Sequence, residues 1–99
     1  MKKYNVEVTN QAYESLESII QHKIHHSGDL TSAYNFHSGF YEEVNNLSTL
    51  PQRGFNMAGD NKAHVYKGHF IIYHIQEPEL VLIIDIIDSR QDSIARRYY

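Results

Sequence analysis

The hydrophobic positions of this chain change their period twice. From Lys3 to Thr9 they alternate, with Tyr4, Val6 and Val8 on one side and Asn5 and Glu7 on the other, which predicts a half-buried strand. Helical spacing follows. Ala12, Leu16, Ile19, Ile20 and Ile24 share a face, and Asn10 is placed to cap the first turn. This helix is expected to run to about His25 or His26, where Ser27-Gly28-Asp29 interrupts it. A second helix, capped by Thr31 or Ser32, carries Ala33, Phe36, Phe40, Val44 and Leu47 and ends before Pro51. Gly39 weakens it slightly and leaves room for close approach to the first helix. Tyr13, Tyr34 and Tyr41 flank these helical faces and are expected to pack there with wet hydroxyls.

A loop over 52–62 holds the turn formers Gly54, Gly59 and Asp60-Asn61, and beyond it the period returns to two. Ala63 to Lys67 and His69 to Gln76 read as strands hinged at Gly68, Glu77-Pro78-Glu79 as a tight turn, and Leu80 to Asp88 as a long last strand. The expected fold is α+β in the order β-α-α-β-β-β, with a helical hairpin packed on one face of a mainly antiparallel sheet. Residues 1–99 form one domain, and from Ser89 onward the chain is either a short helix or a tail. In the last strand Leu80, Leu82, Ile84 and Ile86 are expected to meet the helices, with Val81, Ile83, Asp85 and Ile87 opposite. Asp85 then either sits at a wet concave surface or needs a partner, and the open sheet face becomes the expected working surface.

Composition narrows the class. A chain of 99 residues, 41% hydrophobic and 21% charged, can bury one modest core. A formal charge of -3 gives no global pull toward nucleic acid, so such a role would need a local basic patch. The absence of cysteine excludes disulfides, thiol catalysis and cysteine-based zinc sites. The polar first ten residues resemble no signal peptide and the longest apolar runs are far too short to span a bilayer. A cytoplasmic protein without membrane contact is expected.

Four stretches, taken in order, carry a resemblance: YESLESII (13–20), LPQRG (50–54), KGHFIIYHI (67–75) and LIIDIIDSRQD (82–92). With the β-α-α-β-β-β order they resemble the RelE/ParE superfamily of type II toxins, linked to plasmid stabilisation, across roughly the whole chain. The resemblance implies one of two activities. RelE-like members cut mRNA on the ribosome with basic and proton-transferring groups on the concave sheet face. ParE-like members lack that nuclease set and act on DNA gyrase. Either way a cognate antitoxin wraps the toxin, and operator DNA is met only through the antitoxin complex. A protein of this fold that has lost toxicity and only binds a partner is a further alternative.

The RelE-like Gly-aromatic-Arg-aliphatic pattern meets Gly68-His69-Phe70-Ile71, so Phe70 stands where arginine is expected. Arg90 matches the later arginine, and the expected tyrosine falls near Arg96, close to Tyr98 and Tyr99. Metal-free RNA cleavage needs a base for the 2′-hydroxyl, an acid for the leaving oxygen and cations for phosphate. Arg90, His64 and His69 are the candidates for that chemistry. The ending Asp88-Ser89-Arg90-Gln91-Asp92 fits the ParE-like pattern better, which favours a toxin that binds gyrase without catalysis.

Expected target- or partner-binding residues are therefore Arg90, Gln91, Asp92, Arg96, Arg97 and Arg53. Arg90 either serves the target or pairs with Asp88 or Asp92 to finish the strand. Arg96 and Arg97, with Tyr98 and Tyr99, form either a contact tail or a frayed end. Arg53 either closes its corner against carbonyls or points to the working face. No cofactor or metal is expected: His22 with His25 or His26 has two-ligand spacing but no third ligand, and His69 and His74 point to opposite faces. His69, on the face of Ile71, Tyr73 and Ile75, reads more as a partly buried core residue than as a base.

Overall fold

The computed structural model describes residues 3–90. The chain runs β1 (Asn5–Val8), α1 (Asn10–Ser27), α2 (Leu30–Leu47), a 3-10 turn (Pro51–Arg53), β2 (Phe55–Asn56), β3 (Asn61–Tyr66), β4 (His69–Gln76) and β5 (Leu80–Asp88). Both helices lie where the spacing places them, but their caps shift. Thr9, not Asn10, caps α1, because Thr9 is still extended and its hydroxyl accepts from the Ala12 amide at 3.2 Å. The same hydroxyl donates to the Ile83 carbonyl at 2.9 Å, joining the helix start to β5. Gly28 ends α1 in the left-handed region (φ 67), where its amide reaches the Ile24 carbonyl at 2.9 Å. Asp29, not Thr31 or Ser32, caps α2 by accepting from the Ser32 amide at 3.1 Å. Ala33, Phe36, Phe40, Val44 and Leu47 are all buried, as their spacing requires.

Five strands form one sheet in the order β1-β5-β4-β3-β2. β1 runs parallel to β5 and every other neighbouring pair is antiparallel. The two-residue β2 lies inside the stretch read as loop, where Phe55 pairs with Ala63 and Asn56 with Lys62. The β3–β4 hairpin turns on Lys67 and Gly68, both with positive φ, a two-residue turn suited to the twist of the strands. Gly39 approaches Tyr66 of β3 and not α1: a Cβ there would collide with the Tyr66 hydroxyl, which donates to the Phe36 carbonyl at 2.8 Å. The main core joins Ala12 and Leu16 of α1, the buried face of α2, and Ile71, Tyr73, Val81, Ile83 and Ile86 of the sheet.

This core overturns the expected facing of β5 up to Ile84 and keeps Ile86 and Ile87 on the sides expected for them. Tyr73 pairs with Ile83 and Ile72 with Asp85, so Ile84 is an extra residue opposite β4. Val81 and Ile83 precede it and face the helices, as does Ile86 beyond it. Ile84 and Ile87 instead join Met57, Ala63, Phe70 and Ile72 on the other side. A strict period of two cannot predict this reversal, because one inserted residue changes the parity of everything after it. The far face thus carries its own small apolar cluster. Asp85 is not wet: it is 2% exposed, and its Oδ1 accepts from the Ile86 amide at 2.8 Å. The expected packing of Tyr34 also fails, since it projects from α2 with 70% of its surface exposed.

Candidate functional site

β1 follows β5 only as far as Ile83, where Val8 is the last paired residue and Thr9 turns the chain into α1. β5 continues to Asp88, and along its outer side α1 takes the place of a strand. Between them opens a cleft of about 520 Å³, lined on α1 by residues from Gln11 to Lys23 and across it by Asp85–Asp88, His69 and Arg90. The cleft that gathers Arg90 therefore lies between helix and strand and not on the open sheet face.

Arg90 stands at its mouth with its guanidinium 85% exposed. The Asp88 carboxylate grips it twice, accepting from Nε at 3.2 Å and from a terminal nitrogen at 3.0 Å, and also accepts the Arg90 amide at 2.8 Å. The Arg90 side chain and amide together hold the Asp88 carboxyl down at about 2, so it is ionised at neutral pH and is no proton donor. Of the two local readings of Arg90, the pairing with Asp88 is formed, and the guanidinium still presents its outer face to solvent.

His69 closes the cleft floor. It lies on the helix side with Ile71 and Tyr73, its ring edge-on to Phe36 at 5.0 Å, and its Nδ1–H donates to the Lys67 carbonyl at 3.0 Å. Burial lowers its pKa below 6.5, against the opposing pull of that hydrogen bond and of Asp88, so it is neutral at pH 7. His64 is elsewhere: its Nε2 is 2.6 Å from Glu43 Oε2, tying β3 to α2. The ribonuclease candidates are thus divided, with His69 and Arg90 sharing a cleft and His64 committed to a carboxylate outside its lining. Phe70, at the position where arginine was expected, packs edge-on against Phe55 at 5.4 Å and adds no cation to the sheet.

Arg53 is exposed at the end of the 3-10 turn and does not close its corner. Tyr73 does, donating to the Pro51 carbonyl at 2.6 Å and accepting the Gly54 amide at 3.1 Å. The one sequence sign of this role is a hydroxyl on an otherwise aliphatic strand face, which must find a partner when buried. The His22 and His26 rings meet at a tilt, 4.1 Å between centroids, and among the described residues no three His, Asp or Glu side chains converge as a cation site needs. Gln91, Asp92, Arg96 and Arg97 lie outside the described residues. No helix among the described residues is long and apolar enough to cross a membrane.

The helical hairpin on one side of a β1-β5-β4-β3-β2 sheet is a fold shared with solved ParE and RelE toxin chains. Residues 6–93 match the family described as ParE toxin of type II toxin-antitoxin system, parDE, and the chain belongs to that family. Among solved structures it is similar to a chain of the chromosomal ParDE toxin-antitoxin system from P. aeruginosa, with a TM-score of 0.74 at 14% identity over 89% of this chain and 98% of that one. It is also similar to a chain of the toxin-antitoxin complex RelBE2 from Mycobacterium tuberculosis, with a TM-score of 0.57 at 19% identity over 87% of this chain and 98% of that one. No curated protein matches its sequence.

Proposed function

We propose that this ParE-family toxin acts by binding DNA gyrase, without chemistry of its own, and that a cognate antitoxin neutralises it. The observation that carries this reading is the state of the strand end. Asp88 is held ionised by Arg90, His69 is packed against Phe36, and the sheet position of the second RelE-type arginine holds an apolar Phe70. Among the described residues a cationic recognition group remains, but no assembled acid and base. The antitoxin partner is supported by the family, and by solved relatives described as toxin-antitoxin systems. The toxin would then meet operator DNA through that complex.

The test is a gyrase supercoiling assay with purified protein. Inhibition is expected, with Arg90→Ala weakening it at least about tenfold, the loss that follows when a charged hot spot is removed. Unchanged supercoiling at a large excess of toxin rejects the gyrase target. The ribonuclease reading keeps one observation in its favour, the shared cleft of His69 and Arg90. It requires mRNA cleavage on translating ribosomes that is lost in both Arg90→Ala and His69→Ala, and intact message in that assay removes it.

A further inference from the structure

Arg90 is exposed and yet held at both backbone and side chain. The Ser89 amide and hydroxyl each donate to the Gly68 carbonyl, at 3.1 and 2.8 Å, which pins the strand end to the β3–β4 turn. Asp88 then takes the Arg90 amide, its Nε and its Nη2. Behind Asp88 stands its cross-strand partner His69, itself tied to the Lys67 carbonyl. Stability does not account for this arrangement. An exposed ion pair adds little to folding, because water screens it and a long side chain loses its rotamers to form it. The same rigidity favours binding, since a partner meets an arginine that is already ordered.

The orientation of the guanidinium says what that partner presents. Asp88 occupies the side formed by Nε and Nη2, so the edge formed by Nη1 and Nη2 points away from it with its donors in one plane. That edge matches two oxygens of a carboxylate or of a phosphate. The surroundings separate these two. The Arg90–Asp88 pair carries no net charge, and the rest of the cleft lining adds two acidic residues, Glu14 and Asp85, against one lysine, Lys23. Nucleic acid binds through many phosphates at once, and the cleft has no basic field to draw it in. A single carboxylate needs only the fork.

We propose that Asp88 and Ser89 are positioning residues that hold Arg90 with its free edge set for one carboxylate of the target protein. This rests on the gyrase reading and adds to it the chemistry of the contact. Two measurements test it. In the free protein, nitrogen NMR relaxation should show the Arg90 Nε–H as ordered as the backbone, and less ordered in Asp88→Asn and Ser89→Ala. In the supercoiling assay both variants should inhibit roughly twofold to tenfold less well than the parent, the range for ordering one long side chain on binding. Ser89→Thr, which keeps the hydroxyl, should recover what Ser89→Ala loses. Arg90→Lys, which keeps the charge without the fork, should fall about as far as Arg90→Ala. Circular dichroism checks the fold, and Ser89→Ala, which changes no charge, decides the matter if Asp88→Asn does not fold. A mobile Arg90 in the parent overturns the positioning whatever gyrase does, as does undiminished inhibition by Ser89→Ala. Parent-like inhibition by Arg90→Lys, or Arg90-dependent binding of labelled duplex DNA by the toxin alone, overturns the carboxylate. An ordered Arg90 in a parent that leaves supercoiling untouched rejects the gyrase reading, and the carboxylate contact with it.

Discussion

At the scale of single residues, two titrating groups give opposite signatures. Asp88 has its carboxyl lowered from 3.8 to about 2 by Arg90. Its contribution to stability is therefore present above 3.8 and lost as pH falls through about 2. In Arg90→Ala the carboxyl midpoint, followed by carbon NMR, should rise back toward 3.8, and an unmoved midpoint would mean the pair does not form in solution. His69 is also lowered, by burial, but there protonation opposes folding. Its contribution is complete above 6.5 and declines as pH falls below it, since the unfolded chain then binds the proton more readily. His69→Phe should flatten the fall of melting temperature below pH 6.5 relative to the parent. Both environments were partly legible in the sequence. Arg90 lies two residues from Asp88, and the parity of β4 puts His69 with Ile71 and Tyr73. The corner formed by Tyr73 was not, because Pro51 and Gly54 are remote in sequence and only the folded backbone brings them to its hydroxyl.

At the scale of elements, periodicity located the helices and the longer strands but missed what local geometry alters. The caps moved to Thr9 and Asp29 because each is the last extended residue before its helix, which side-chain type alone does not reveal. The extra residue in β5 changes which parity faces the helices after it, and substitution before it measures the facing there. Ile83→Ala should cost about 2–5 kcal/mol in denaturant unfolding, the range for emptying a packed aliphatic site, and Leu82→Ala clearly less. Equal losses would contradict the observed facing. Gly54 offers a second measurement: a Cβ would lie 2.5 Å from both the Ala63 carbonyl oxygen and the Tyr73 hydroxyl. Gly54→Ala should destabilise by about 1–3 kcal/mol through the overpacking it forces. Tyr73→Phe should lose about 1–3 kcal/mol by leaving the Pro51 carbonyl and Gly54 amide unpartnered.

At the scale of the whole molecule, the α+β class and the element order were readable because each element holds one period over enough residues to show it. The cleft was not readable, since it exists only because β1 stops at Val8 while β5 runs on beside α1. The parallel pairing of β1 with β5 also has a temporal side. Asn5 finds its partner in Leu80, so the first strand to leave the ribosome waits for nearly the last. Chains stalled before Leu80 should be cleaved readily by protease within residues 3–9, and chains released after Asp88 should resist. A toxin built this way cannot close its sheet until nearly the whole chain has been made.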